Sequence, residues 1–177
     1  MAKPAFREIR ASHDDECITV YQEYNASIAE SAIESQKLSA SPLYRPGRAT
    51  WIKPSWCWMM YRSGYSLLKN ACPAGAPHAR GESVVVQWDP ERGPRLERLE
   101  YRGIQIGIPG GVRDQWIEEW IEGIEDVTQM ARDMKKKLDE DLTIGVEELV
   151  RLGLMPDERL YRVDDEVFDR LGMASQK

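Results

Sequence analysis

Apolar and polar residues alternate most cleanly over Tyr101–Ile108 (YRGIQIGI). Ile104, Ile106 and Ile108 point one way there, and Gly103, Gln105 and Gly107 the other. A period of two marks a half-buried strand, and Pro109-Gly110-Gly111 ends it. Ser83 to Trp88 (SVVVQW) predicts a second strand, because three consecutive valines suit a sheet interior. Asp89 to Pro94 supplies a turn, across which Leu96 to Leu99 pairs back. Residues 5–11 (AFREIRA) and Cys17–Tyr21 (CITVY) predict two earlier strands.

Helical spacing dominates the rest of the chain. Asn25 caps a predicted helix over 26–37, with Ile28, Ala32 and Ile33 on one face. Val112, Trp116, Ile117, Trp120, Ile121, Ile124, Val127, Met130, Met134 and Leu138 form one three-and-four stripe, which predicts a long amphipathic helix over 112–138. Acids crowd its first half and Lys135-Lys136-Lys137 close it, matching the helix dipole at both ends. Short helices are predicted over 144–152 and 164–171. Pro54 pushes Lys53 toward extended geometry. The window Trp56–Tyr61 is too short to classify by period, and a buried strand is preferred to a helical turn. Residues 39–47 and the Pro/Gly/Ala-rich stretch 69–83 read as loops. The order of elements predicts an α+β fold: a single domain over 1–177, with a mixed, mostly antiparallel sheet, an early helix and a long C-terminal amphipathic helix.

Composition adds limits. A chain of 177 residues, 42% hydrophobic and 31% charged, has the make-up of a soluble globular domain. It can bury roughly 70% of its unfolded surface without disulfide or metal staples. Two His exclude a histidine-rich metal site. Cys17, Cys57 and Cys72 are odd in number and lack C-x-x-C spacing, the usage of a reducing compartment where thiols stay free and mostly buried. With no secretory h-region and no run approaching the roughly 20 apolar residues of a membrane span, a cytoplasmic location away from membranes is expected.

The net charge of −6 argues against general binding to polyanions, but it hides an asymmetry. Residues 44–102 hold 10 basic and 5 acidic residues and four of the six Trp, whereas residues 111–177 carry 10 basic against 18 acidic. A basic, Trp-rich middle is suited to an anionic ligand.

No phosphate loop, dinucleotide-binding glycine motif, nucleophile elbow or H-E-x-x-H motif is present. What remains is polar residues inside apolar strands. Lys53 and Arg62 flank the Trp-Cys-Trp-Met-Met-Tyr run, and Gln87 and Asp89 border Trp88. Arg102 and Gln105 are read as lying opposite the isoleucines of their strand. Converging on one cleft, the cations would hold phosphates, Gln and Asp would bond a sugar or base, and Trp or Tyr would stack on a planar ring. The alternative is that these cations reach out from strand edges and pair with Asp89, Glu91 or Glu100. Asp89 and Glu91 also suggest paired carboxylates, although Asp89-Pro90 reads equally as a turn. Gly110-Gly111 offers backbone N–H groups to an anion, or a plain turn into the helix.

REIRA (7–11), ITVYQEY (18–24), TWIKPSWCWMMYRSG (50–64), VVQWDPER (85–92), YRGIQIGI (101–108) and WIEGIEDVT (120–128) occur in that order. Together they resemble the family known as domain of unknown function 4291, over roughly residues 7–162. Residues 163–177 then read as a C-terminal extension. Family members carry an additional strand and helix between the two central motifs, where this chain has only about 65–83. Either an element is lost, which leaves a sheet edge to cover, or coding sequence is missing. The order of elements is also similar to that of ADP-ribosyltransferase-type domains. That likeness implies NAD as a ligand and Tyr21, Arg48, Lys53, Arg62 and Gln105 as nucleotide-facing residues, but no complete catalytic triad of that class can be placed. The expectation is a nucleotide-binding enzyme or enzyme-derived domain, acting as a transferase on a nucleotide-bearing or RNA-related substrate. The alternative is a non-catalytic protein-interaction module using the Trp-rich surface or the acidic helical one.

Overall fold

In the computed structural model, residues 4–45, 50–67 and 83–173 are described. β1 (Arg10–Ala11) pairs antiparallel with β5 (Arg159–Leu160). β2 (Thr50–Ile52), β3 (Val85–Arg92) and β4 (Arg98–Ile108) form an antiparallel sheet in the order β2-β4-β3. The helices are α1 (Ala26–Ser35), α2 (Trp56–Ser63), α3 (Gly110–Gln115), α4 (Thr128–Glu140), α5 (Val146–Arg151) and α6 (Asp165–Arg170). The fold is α+β, as the order of elements predicts.

The period-two pattern of β4 sets the layers. Ile52, Ile106 and Ile108 share a face because Ile52 and Ile106 are cross-strand partners. That face packs on Ala32 and Leu38 and on Trp116 and Ile117. Farther along it, Ile104 meets Ile9 and Met173. A second core lies between α2 and α4, where Trp56, Met59 and Met60 meet Met134, Leu138 and Leu149. The Trp56 indole N–H points at the Met134 sulfur, 3.0 Å away.

Four expectations change. Trp56–Tyr61 belongs to helix α2, not to a strand. Trp56, Cys57, Met59, Met60 and Ser63 are the buried positions, which is helical spacing. Ser55 caps the start, and Gly64 in the left-handed region caps the end. Asp89–Arg92 continues β3 instead of turning, and the reversal falls at Gly93–Glu97, closed by the Gly93 N–H to Glu97 carbonyl bond of 2.9 Å. Cys17–Tyr21 forms no strand, only isolated bridges from Ile18 to His13 and from Tyr21 to Lys53, and Cys17 is exposed.

The stretch 112–138 is not one helix. α3 runs into a π-helical turn (Trp116–Trp120), residues 121–127 are irregular, and the amphipathic helix proper is α4. Ile121 is extended, and the Gln36 side-chain amide bonds both backbone groups of Ile124, at 2.9 and 3.0 Å. Asp126 then accepts from the Thr128 N–H and starts α4 afresh. The apolar stripe divides between two cores: Trp116 and Ile117 pack on the isoleucine face, whereas Met134 and Leu138 pack against α2. Trp116 is buried, whereas Trp120 is 49% exposed.

Other expectations hold. Asn25 caps α1 by accepting from the Ile28 N–H, and α5 and α6 lie where short helices are predicted. The supposed extension is part of the packed body. Trp88 donates to the Leu171 carbonyl, Arg7 to that of Gly172, and Met173 is buried. Arg48, Cys72, His78 and the loop reading of 69–82 lie outside the described residues. No helix among the described residues is long and apolar enough to cross a membrane.

Candidate functional site

The face of the sheet opposite the isoleucines carries the polar residues. Cross-strand partners share a face, so Gln87 lies beside Gln105, Asp89 beside Gly103, and both Val85 and Trp51 beside Gly107. Two glycines of β4 admit side chains from neighbouring strands. A Cβ at Gly107 would stand 2.9 Å from the Trp51 ring, which therefore lies against that backbone. A Cβ at Gly103 would stand 2.1 Å from Glu91 Oε2 and 3.5 Å from Lys53 Cε, so carboxylate and lysine stem meet over this glycine.

Lys53 is the centre of the arrangement. It follows β2 directly, held by backbone bonds to Tyr21 in both directions, at 2.8 and 3.4 Å. Its exposure is 0%, its Nζ has no hydrogen-bond partner, and that nitrogen sits 4.6 Å from the centre of the Trp58 ring. The Arg62 guanidinium lies 5.5 Å from the same ring. Burial lowers the Lys53 pKa to about 8, against the opposing pull of Glu91, Asp89 and Glu158.

The carboxylates are tied to the start of α2. Glu91, 6% exposed, accepts from the Ser55 hydroxyl at 2.5 Å and from the Arg92 N–H at 2.9 Å. Ser55 in turn accepts from the Trp58 N–H, so one hydroxyl caps the helix and orients Glu91. Glu158 accepts the Trp56 N–H at 2.5 Å from a segment far along the chain. Burial pushes the Glu158 carboxyl up to about 8; the Trp56 hydrogen bond opposes this, and the charge of Glu91 adds to it. Tyr101, next in the glycine row of β4, is shifted up by burial and by Glu91. The result is a cluster of Lys53, Glu91, Glu158 and Tyr101, in which burial disfavours the charged forms of Lys53, Glu158 and Tyr101, beneath the half-exposed Gln87 and Asp89.

Of the eight sequence candidates, Lys53, Arg62, Gln87, Asp89 and Gln105 come together here. Arg102 does not. Its parity in β4 places it with the isoleucines, where it donates to the Trp88 carbonyl at 2.7 Å and lies 5.6 Å from the Phe6 ring centre. The expectation that it lies opposite them is corrected by counting in twos. Tyr21 touches the site through its backbone, while its ring packs edge-on against Trp56 in the core. Arg48 is outside the described residues. Ser55 was missed although a Ser before an apolar run is a capping signal. Glu158 carries no such signal. Among the described residues no group of His, Cys, Asp and Glu could hold a metal ion.

A family model described as domain of unknown function (DUF4291) matches two stretches of the chain, residues 8–74 and 68–161. No significant match was found among curated proteins or among solved structures.

Proposed function

We propose, for a chain that belongs to the family described as domain of unknown function (DUF4291), that the polar face of the β2-β4-β3 sheet binds a nucleotide-bearing substrate, in an enzyme or enzyme-derived domain of the transferase kind. The observation that supports this reading is the convergence of Lys53, Glu91, Gln87, Asp89 and Gln105 on one face between the Trp51 and Trp58 rings. Trp51 offers a platform for a planar base. Arg62, beside Trp58, and Arg92, 4.0 Å from the Tyr61 ring centre, supply positive charge for phosphates at the rim. Gln87 and Asp89 take sugar hydroxyls. Lys53, lowered toward neutral pH, exchanges a proton at Nζ beside Glu91.

Calorimetric titration of NAD, ATP and short RNAs into the wild type, Arg62→Ala and Gln87→Ala tests the reading. One ligand class is expected to bind, and each substitution to weaken it at least tenfold. Absence of binding by every ligand, or affinity untouched by both substitutions, would sink it.

A further inference from the structure

β3 is the open edge of the sheet. In the order β2-β4-β3 it pairs with β4 alone, whereas the chain just past β2 is covered by the Tyr21–Lys53 bonds. The direction of its backbone groups follows from β4. The Arg102 N–H donates to the Phe6 carbonyl at 2.8 Å, and the Arg102 carbonyl accepts the Glu8 N–H at 3.2 Å, both on the side away from β3. Backbone groups alternate along a strand, so Ile104 and Ile106 also face away from β3, and Gly103, Gln105 and Gly107 face it. Their partners Asp89, Gln87 and Val85 therefore bond β4, and Val86, Trp88 and Pro90 turn their backbone groups outward. Pro90 suits this parity, because a proline has no N–H to offer and belongs at a strand edge. Among the described residues nothing bonds the Val86 N–H, the Val86 carbonyl or the Trp88 N–H. The Trp88 carbonyl accepts from Arg102 at 2.7 Å and keeps a second lone pair.

Edge strands are ordinarily guarded by charge, by proline or by a cover. Here residues 83–88 (SVVVQW) carry no charge, and Val84 and Val85 are 43% and 36% exposed. Pro90 and the register shift between Pro90 and Arg92 guard only the far end. The stretch is complementary to itself. Run antiparallel about a twofold axis at Val86, it lets Val86 exchange both backbone bonds with its own copy, and Val84 exchange both with Trp88. Val84, Val86 and Trp88 then join the same row of the second copy, and Asp89 faces Ser83, so no like charges meet.

We propose that a second copy of this chain pairs on β3, giving a twofold dimer with a continuous sheet in the order β2-β4-β3-β3-β4-β2. Pairing uses up the edge of both copies, so the assembly closes as a dimer. On the polar face Gln87 lies beside Val85 of the second copy, and each polar face borders the other. The proposal holds whatever the Lys53 face binds.

Sedimentation velocity of the whole chain from about 1 µM to about 1 mM, with hydrogen exchange at both ends of that range, decides it. The mass is expected to rise from one chain to two, and the Val86 and Trp88 amides to exchange at least tenfold more slowly in the dimer. Val86→Pro removes an outward N–H without breaking a bond to β4, and it is expected to abolish the dimer. Should Val86→Pro not fold, Val84→Lys sets a cation against Arg7 and Arg102 of the second copy, beside Trp88, and is expected to raise the dimer Kd at least tenfold. Leu142→Lys, at an exposed apolar position off the sheet, is expected to leave that Kd unchanged. A monomer throughout leaves the edge to a strand of a different protein and overturns the proposal. So does assembly beyond two chains, protection of both amides that ignores concentration, an unchanged Kd in the β3 variants, or a dimer lost in Leu142→Lys.

Discussion

The Lys53→Met variant removes an ammonium that is wholly shut from solvent and has no hydrogen-bond partner, and it leaves a side chain of similar length in its place. Burial depresses the lysine pKa from 10.5 to about 8, despite three carboxylates nearby. Keeping it charged at pH 7 therefore costs the folded state about 3 kcal/mol relative to the unfolded chain. Between pH 8 and 10.5 the unfolded chain still holds this proton while the folded one has released it, so wild-type stability rises with pH across that window. Cys57 and Tyr101, both pushed up by burial, lower stability at the alkaline end in either protein. The informative quantity is thus the difference between variant and wild type. Urea unfolding followed by tryptophan fluorescence from pH 7 to pH 10 measures it. The variant is expected to be about 2–3 kcal/mol more stable at pH 7, with the advantage shrinking as pH rises. A variant less stable than wild type at pH 7, or a difference that does not change with pH, refutes the reasoning, because the ammonium would then be well paired. Function commonly trades against stability, so a gain on removing Lys53 would fit a lysine that serves the proposed site more than the fold.

Two further outcomes follow from the same cluster. Gly103→Ala places a methyl where Glu91 Oε2 lies, 2.1 Å from it, so the carboxylate must leave its bond with Ser55. The expected loss is about 1–3 kcal/mol, largely recovered when Glu91→Ala accompanies it, and strictly additive losses in that double-mutant cycle would rule the contact out. Glu158→Gln keeps an acceptor for the Trp56 N–H and removes a carboxyl whose pKa burial raises from 4.5 to about 8. Wild-type stability falls as pH rises across that interval, since the unfolded chain releases a proton that the fold retains. The variant should lack this slope and gain most near pH 8; parallel pH profiles for the two proteins would show that burial is not the cause.

Local pattern made much of this legible. The two-residue period of β4 predicts which side of the sheet is greasy and which side holds Gln105, and Asn25 announces α1. The strand reading of Trp56–Tyr61 fails because the window is shorter than two helical turns, and only the caps at Ser55 and Gly64 distinguish the alternatives. The single-helix reading of 112–138 fails for the opposite reason. An apolar stripe continues through a break that Gln36 stabilises from α1, and a stripe does not register backbone pairing. Lys53 and Asp89 were visible as polar residues in apolar surroundings. Glu158 was not, because its role comes from contact across about a hundred residues of chain, beyond the reach of local spacing.

That long-range contact has a consequence for how the molecule is assembled. Residue 56 cannot find its acceptor until residue 158 exists, and Ser55 waits on Glu91. During synthesis from the N-terminus, the segment containing Lys53 emerges early but must remain without its partners while more than half of the chain is made. Closing so large a loop is entropically slow. The buried polar cluster is therefore among the last parts to form, and a nascent chain stopped before α4 would carry Trp56 and its neighbours as exposed apolar surface, a target for chaperones.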